Sequence, residues 1–147
     1  MSLNISCPQC TVTNKLPEAR LGDAPKCGKC KQLLFTGKPM DLTAANFSSV
    51  LKRNDIPVLV DCWASWCGPC KQFAPIFEQA AQSFEPSLRL AKLNTETEQG
   101  IASQWQIRSI PTLILFRQGN EIARTSGAFP LAQLKQWLAQ QGINLSS

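Results

Sequence analysis

Trp66-Cys67-Gly68-Pro69-Cys70 decides how the rest of this chain is read. Its two thiols, with two residues between them, can close a small ring without large backbone movement. The stretch before them, Pro57–Ala64, is apolar and β-branched and predicts a buried strand. The stretch after them, Lys71–Phe84, places Phe73, Ile76, Phe77, Ala80 and Phe84 at helical spacing. The cysteines therefore stand where a strand hands over to a helix. Cys67 falls at the helix N-terminus, where unpaired N–H groups and the helix dipole favour negative charge. A thiolate is the form that attacks a disulfide, and this placement stabilises it.

The chain has 147 residues, enough for one full domain and a small appendage. Hydrophobic residues make up 44% and charged ones 17%, so most of the chain can bury a core rather than stay disordered. No apolar run approaches the ~20 residues of a membrane span, and Met1–Ser6 lacks the basic and long apolar regions of a signal peptide. A cytoplasmic protein without membrane contact is expected. There is no histidine, which excludes Cys-His and Ser-His nucleophilic machinery and any His-ligated metal. Proton transfers then fall to carboxylates, lysines, thiols or water.

The seven cysteines sort as four in the first 30 residues, two in the Trp66–Cys70 run, and Cys62 alone. In a reducing compartment such thiols are metal ligands or redox groups more often than structural disulfides. Cys7-Pro8-Gln9-Cys10 and Cys27-Gly28-Lys29-Cys30 are Cys-x-x-Cys knuckles separated by sixteen residues, the spacing of a four-cysteine zinc site. Each knuckle supplies two sulfurs from one tight turn, and two facing turns complete a tetrahedron. Two disulfides are the alternative. A segment this short buries little apolar surface, so one structural zinc ion would supply its folding energy. Residues 1–38 carry six Lys/Arg against Glu18 and Asp23, out of a whole-chain net charge of +5. Basic charge suggests nucleic acid or acidic partners, but four thiolates on a divalent metal carry net negative charge that lysines offset. The segment lacks interleaved aromatics for base stacking, which argues against nucleic-acid binding.

Thr36-Gly37-Lys38-Pro39 is a turn-rich joint, dividing residues 1–38 from 39–147. Beyond it, Leu42 is strand-like and Thr43 is placed to cap a helix running to about Asn54. Leu88–Leu93 predicts a strand, Glu98–Trp105 a short helix and Thr112–Phe116 an apolar strand. Gln118-Gly119-Asn120 predicts a hairpin turn leading to Ile122–Ser126. Pro130 opens a last helix with Leu131, Leu134, Trp137 and Leu138 on one face. In the front segment Thr11–Leu16 is strand-like, followed by turns at Pro17 and Gly22-Asp23. The order predicts an α/β fold: a mixed central sheet with helices on both faces.

With Val58-Leu59-Val60-Asp61, Trp63-Ala64, Trp66–Lys71, Ala74-Pro75, Ile110-Pro111-Thr112 and Gly127, residues 40–141 resemble a thioredoxin. The four-cysteine front segment resembles the zinc ribbon of the bacterial thioredoxin 2 type. Cys62 stands where the family usually has a large aromatic, and Ser65 where a proline or an acid is common. The resemblance implies a thioredoxin fold behind a small zinc ribbon, and reduction of protein disulfides. It implies that Cys67 attacks, that Cys70 resolves the mixed disulfide, and that the oxidised form is a redox-active Cys67–Cys70 disulfide with no organic cofactor. It implies protein disulfide substrates, recycling by an NADPH-dependent thioredoxin reductase, and a monomer.

Further roles follow from that resemblance. Cys70, expected to be the more buried thiol, must lose a proton, and Asp61 is the candidate acceptor. Burial in an apolar strand should raise its pKa; a strand-end aspartate making a local cap is the alternative. Lys92 either approaches Asp61 and modulates it, or snorkels. Pro111 would be a cis-proline that leaves Ile110 free to pair with an extended substrate; otherwise it starts a strand. Trp66, Ser109, Ile110 and Gly127 would form the substrate groove, and Gly68 and Pro69 would set ring geometry and reducing power. Trp63 reads as core, Pro75 as a helix kink, and Cys62 as a small buried hydrophobe, with a regulatory thiol as its other reading.

Overall fold

The computed structural model describes residues 1–145. Five strands form the main sheet in the order β3-β5-β4-β6-β7. They are β3 (Met40–Asp41), β4 (Val58–Trp63), β5 (Arg89–Asn94), β6 (Thr112–Arg117) and β7 (Asn120–Ser126). β3, β5 and β4 run parallel, whereas β6 and β7 run antiparallel to their neighbours. The mixed sheet read from the sequence is the sheet observed.

Strand alternation sends side chains to two apolar layers. Leu59, Leu90, Leu113 and Leu115 meet Phe73, Phe77, Ala80 and Phe84 of α2 (Gly68–Phe84) and Leu134 and Leu138 of α4 (Leu131–Gln140). Val58, Val60, Cys62, Ala91, Leu93 and Ile114 meet Val50 and Leu51 of α1 (Phe47–Lys52) and Ile101 of α3 (Gln99–Gln104). Phe73 and Phe77 are fully buried, and each phenyl ring removed from water contributes about 2 kcal/mol. β6 and β7 are joined at Gln118-Gly119, both at positive φ, as a two-residue hairpin turn of the primed type requires.

One helix differs from the sequence reading. α1 starts at Phe47 rather than just after Thr43, because Asn46 accepts from Thr43 N–H at 2.8 Å and donates to the Asp41 carbonyl at 3.0 Å. These side-chain bonds hold residues 43–46 as a turn. α2 starts at Gly68, as the placing of Cys67 at a helix N-terminus predicts, and Pro75 lies inside it.

The front segment pairs β1 (Ser2–Ser6) with β2 (Thr13–Pro17), antiparallel. β2 overlaps the predicted strand region; β1 is an addition. Its further partners lie far along the chain. Asn4 N–H donates to Asp55 Oδ2 at 2.7 Å, Asp55 N–H returns to the Asn4 carbonyl at 2.8 Å, and Ser6 N–H donates to Asn54 Oδ1 at 3.0 Å. Ile56, just before β4, joins the apolar cluster of Ile5, Cys7, Leu16, Cys27 and Leu34. The front segment thus sits at the start of β4, whereas Cys67 follows its end, with a six-residue strand of about 20 Å between them.

Arg89, only 1% exposed, clasps this seam. It donates to the Leu34 carbonyl at 2.7 Å, lies 3.8 Å from Glu85 Oε2 and stacks 4.2 Å from the Phe35 ring. Glu85 also accepts from Gly37 N–H at 3.3 Å and Leu90 N–H at 3.2 Å. Removing one member of a buried pair leaves the other charge uncompensated. Arg89→Leu is therefore expected to lower stability by about 3 kcal/mol, read as the urea unfolding midpoint at neutral pH.

Candidate functional site

β4 carries Asp61 to the core, and the turn after it delivers Cys67 to the start of α2. Cys67 is the N-cap, and its sulfur accepts from Cys70 N–H at 3.2 Å. The two cysteines form a disulfide with Cα atoms 5.2 Å apart. Cys67 is 4% and Cys70 3% exposed, so the expected difference in burial does not exist in this oxidised form. A ring closed across one helical turn places both sulfurs in the same apolar nook, with Ala64, Trp63 and Ile110.

The segment before β6 comes to the disulfide from a distant part of the chain. Ile110-Pro111 is a cis peptide, and the Ile110 carbonyl oxygen lies 3.8 Å from Cys67 Sγ. Gly127, at φ +123, donates its N–H to the Pro111 carbonyl at 3.0 Å, a backbone conformation that other residues rarely adopt. Trp66 is 71% exposed beside the reactive sulfur. A cleft of about 190 Å³ is lined by Trp66, Thr95, Ile107, Arg108, Ser109 and Ile110. Of the groove residues named from the sequence, Trp66, Ser109 and Ile110 come together there. Gly127 is bonded to the Pro111 carbonyl and is not part of that lining, and Gly68 and Pro69 are exposed on the first turn of α2.

Asp61 is 1% exposed, and among the described residues neither carboxylate oxygen has a hydrogen-bond partner. Burial raises its pKa from 3.8 to about 7, with the Lys92 charge pulling the other way. Asp61 and Lys92 are register partners across β4 and β5 and share the sheet face that α2 covers. The Lys92 ammonium lies 4.7 Å from the centre of the Trp63 ring and, among the described residues, forms no ion pair with Asp61. Trp63 is half-buried and packs against the disulfide nook. Cys62 is fully buried in the opposite layer, and burial pushes its thiol pKa upward, away from reactivity.

At the other end of the molecule, Cys7, Cys10, Cys27 and Cys30 bring their sulfurs within 4.8 Å of one another. Cys7–Cys30 and Cys10–Cys27 sulfurs are 3.6 Å apart, and all four thiols are free. Four Zn–S bonds of about 2.3 Å in a tetrahedron put sulfurs about 3.8 Å apart, so this donor set fits a zinc ion. Backbone N–H groups of Gln9 and Lys29 point at Cys7 and Cys27 sulfurs at 3.4 Å, and Asn14 Nδ2 at Cys27 at 3.5 Å. Such donors favour ligating thiolates.

The family described as Thioredoxin matches residues 38–140, and the family described as Thioredoxin 2, N-terminal matches residues 6–32. The chain belongs to the thioredoxin family. Among its relatives, Thioredoxin C-3 of Corynebacterium nephridii is 44% identical over 137 residues, covering 93% of this chain and 94% of the relative. Thioredoxin of Haemophilus influenzae is 40% identical over 101 residues, covering 69% and 94%. A solved structure of a mutant thioredoxin from Halobacterium salinarum NRC-1 superposes with a TM-score of 0.66 at 28% identity, covering 77% of this chain and 97% of that one. With its Cys67–Cys70 disulfide, the chain is a thiol–disulfide oxidoreductase of this family. The four-cysteine cluster is the metal-binding element of its zinc-ribbon segment. Among the described residues no helix is long and apolar enough to cross a membrane.

Sequence reading missed Thr95, Ile107 and Arg108 at the cleft. It also missed Glu96, which accepts from Ser65 N–H at 2.6 Å and Ser65 Oγ at 2.7 Å and so ties down the loop before Trp66. Arg108 adjoins the Ser109-Ile110-Pro111 run, and that adjacency was the available signal.

The raised pKa of Asp61 has a signed consequence. Its proton is held more tightly in the folded than in the unfolded state, so this contribution is fully present below about pH 4 and is lost as pH rises through about 7. Asp61→Asn should remove that loss. The variant is expected to exceed the parent in stability at pH 8 by on the order of 3 kcal/mol, with little difference at pH 4, measured by denaturant unfolding of the oxidised protein.

Proposed function

We propose that this protein is a protein-disulfide reductase of the cytoplasm, acting as a monomer and recycled by an NADPH-dependent thioredoxin reductase. The observation that carries the reading is the position of Cys67: a capping sulfur at the start of α2, facing the Ile110 carbonyl at 3.8 Å. The same helix terminus and the Cys70 N–H favour its thiolate in the reduced form.

The Cys67 thiolate attacks one sulfur of a substrate disulfide, forming a Cys67–substrate bond and expelling the other substrate sulfur as a thiolate. Asp61, held near neutrality in pKa, takes the Cys70 proton, directly or through water. The Cys70 thiolate then attacks Cys67 Sγ, closing the Cys67–Cys70 bond and releasing the second substrate thiolate. Two electrons pass from the dithiol to the substrate. Lys92 offsets the charge that develops on Asp61. Ile110, its backbone turned by cis-Pro111, pairs with an extended substrate strand, while Trp66 and Ser109 shape the groove and Gly127 holds the Pro111 carbonyl. Gly68 and Pro69 hold the ring geometry.

Residues 1–38 form a zinc ribbon in which Cys7, Cys10, Cys27 and Cys30 would hold one structural zinc ion, and residues 39–147, the last two outside the described residues, form the thioredoxin domain. Zinc supplies folding energy to a segment whose own core is small. The ribbon is no part of the redox step, since the length of β4 separates it from Cys67.

Reduction of insulin disulfides, coupled to NADPH through a thioredoxin reductase, is expected from the intact chain and should fall by at least about a thousandfold in Cys67→Ser, the scale of losing a covalent nucleophile. Cys70→Ser is expected to accumulate a mixed disulfide with substrate, visible by mass under non-reducing conditions. No turnover with Cys67 intact would refute the reading. Elemental analysis should find one zinc per chain. Chelation should lower the unfolding midpoint of the ribbon while insulin reduction by the remaining dithiol persists.

A further inference from the structure

The cleft beside Cys67 carries a charge that the redox chemistry does not use. Among the described residues, Arg108 is the one ionisable side chain in its lining. Trp66 and Ile107 supply apolar walls. Its two hydroxyls are engaged: Thr95 Oγ1 donates to the Trp63 carbonyl at 2.9 Å, and Ser109 Oγ lies 3.0 Å from Ser126 Oγ. Arg108 is exposed and, like Arg20, Arg53 and Arg117 elsewhere on the surface, forms no ion pair among the described residues. Glu96, the acid that follows Thr95, commits one carboxylate oxygen to Ser65.

The geometry points to Arg108 as a specificity-determining residue that selects substrate disulfides flanked by an acidic side chain. The inference rests on the reductase reading above. A substrate strand paired along Ile110 alternates its side chains, so a residue next to the attacked cysteine faces the cleft. A carboxylate there meets an uncommitted guanidinium fork, which binds carboxylates in a bidentate manner. A lysine there meets an uncompensated cation. Solvent limits the size of the effect, so the preference is a matter of a few-fold and is screened by salt.

The test uses the full-length reduced protein as stoichiometric reductant, so no reductase is needed. Peptide disulfides that differ only in Glu, Gln or Lys before or after the attacked cysteine are compared by second-order rate constant at low salt. The expected order is Glu, then Gln, then Lys, with Glu about threefold faster than Lys, and with the ratio shrinking at high salt. Arg108→Glu should reverse the order, and Arg108→Gln should bring the ratio to about one. Arg117→Glu, at the far end of β6 from Pro111, changes net charge equally and should leave the ratio as in the parent. Equal rates for all peptides in the parent would overturn the proposal. So would a parental order in Arg108→Glu, or an equal shift from Arg117→Glu. If no peptide is reduced although Cys67 is intact, it is the reductase reading that fails.

Discussion

One sulfur at the head of one helix organises this molecule. Cys67 can cap α2 only because β4 is buried on both faces and ends where it does. Leu59 is locked under α2 and α4, and Val58, Val60 and Cys62 under α1 and α3. That rigid strand fixes the turn Ala64–Trp66, and the helix that follows aims the Cys70 N–H at the sulfur. A helix N-terminus is a site of partial positive charge with unpaired donors, so the position stabilises the reactive anion before any substrate arrives.

The cost of that arrangement is borne by Asp61. A carboxyl group with both oxygens unpartnered among the described residues, inside an apolar layer, opposes ionisation, and the core tolerates it because the group can stay protonated. A value of about 7 is what a proton acceptor for a thiol needs near neutral pH. In the proposed mechanism, stability and proton transfer pull this residue in opposite directions, a trade common at active sites. Lys92, its register partner, moderates the charge while its ammonium rests over Trp63.

The zinc-ribbon segment is a separate solution to a separate problem. Its cluster of Ile5, Leu16 and Leu34 is too small to stand alone, and it draws on Ile56 from the larger domain and the Arg89–Phe35 stack from the seam. Its four sulfurs lie close enough together to hold one metal ion. The bonds between Asn4 and Asp55 and the clasp of Arg89 tie this segment to the end of the sheet remote from the disulfide. Metal chemistry and thiol exchange are thereby kept from competing for the same cysteines.

Local chemistry made much of this legible from residues alone. The strand-to-helix handover at Cys67, the two knuckles, the β6–β7 hairpin and the succession of strands and helices all rest on short-range patterns of apolarity, turn residues and spacing. Tertiary structure alone decided the rest. β1 exists as a strand tied to residues 54 and 55, some fifty positions away. The equal burial of the two cysteines follows from closing their ring inside a nook that also holds Ile110. Arg108 comes to the cleft beside the reactive sulfur only because β6 returns antiparallel beside β4. Sequence carries periodicity and the residues that break it; which distant groups meet depends on packing, and no local pattern encodes that.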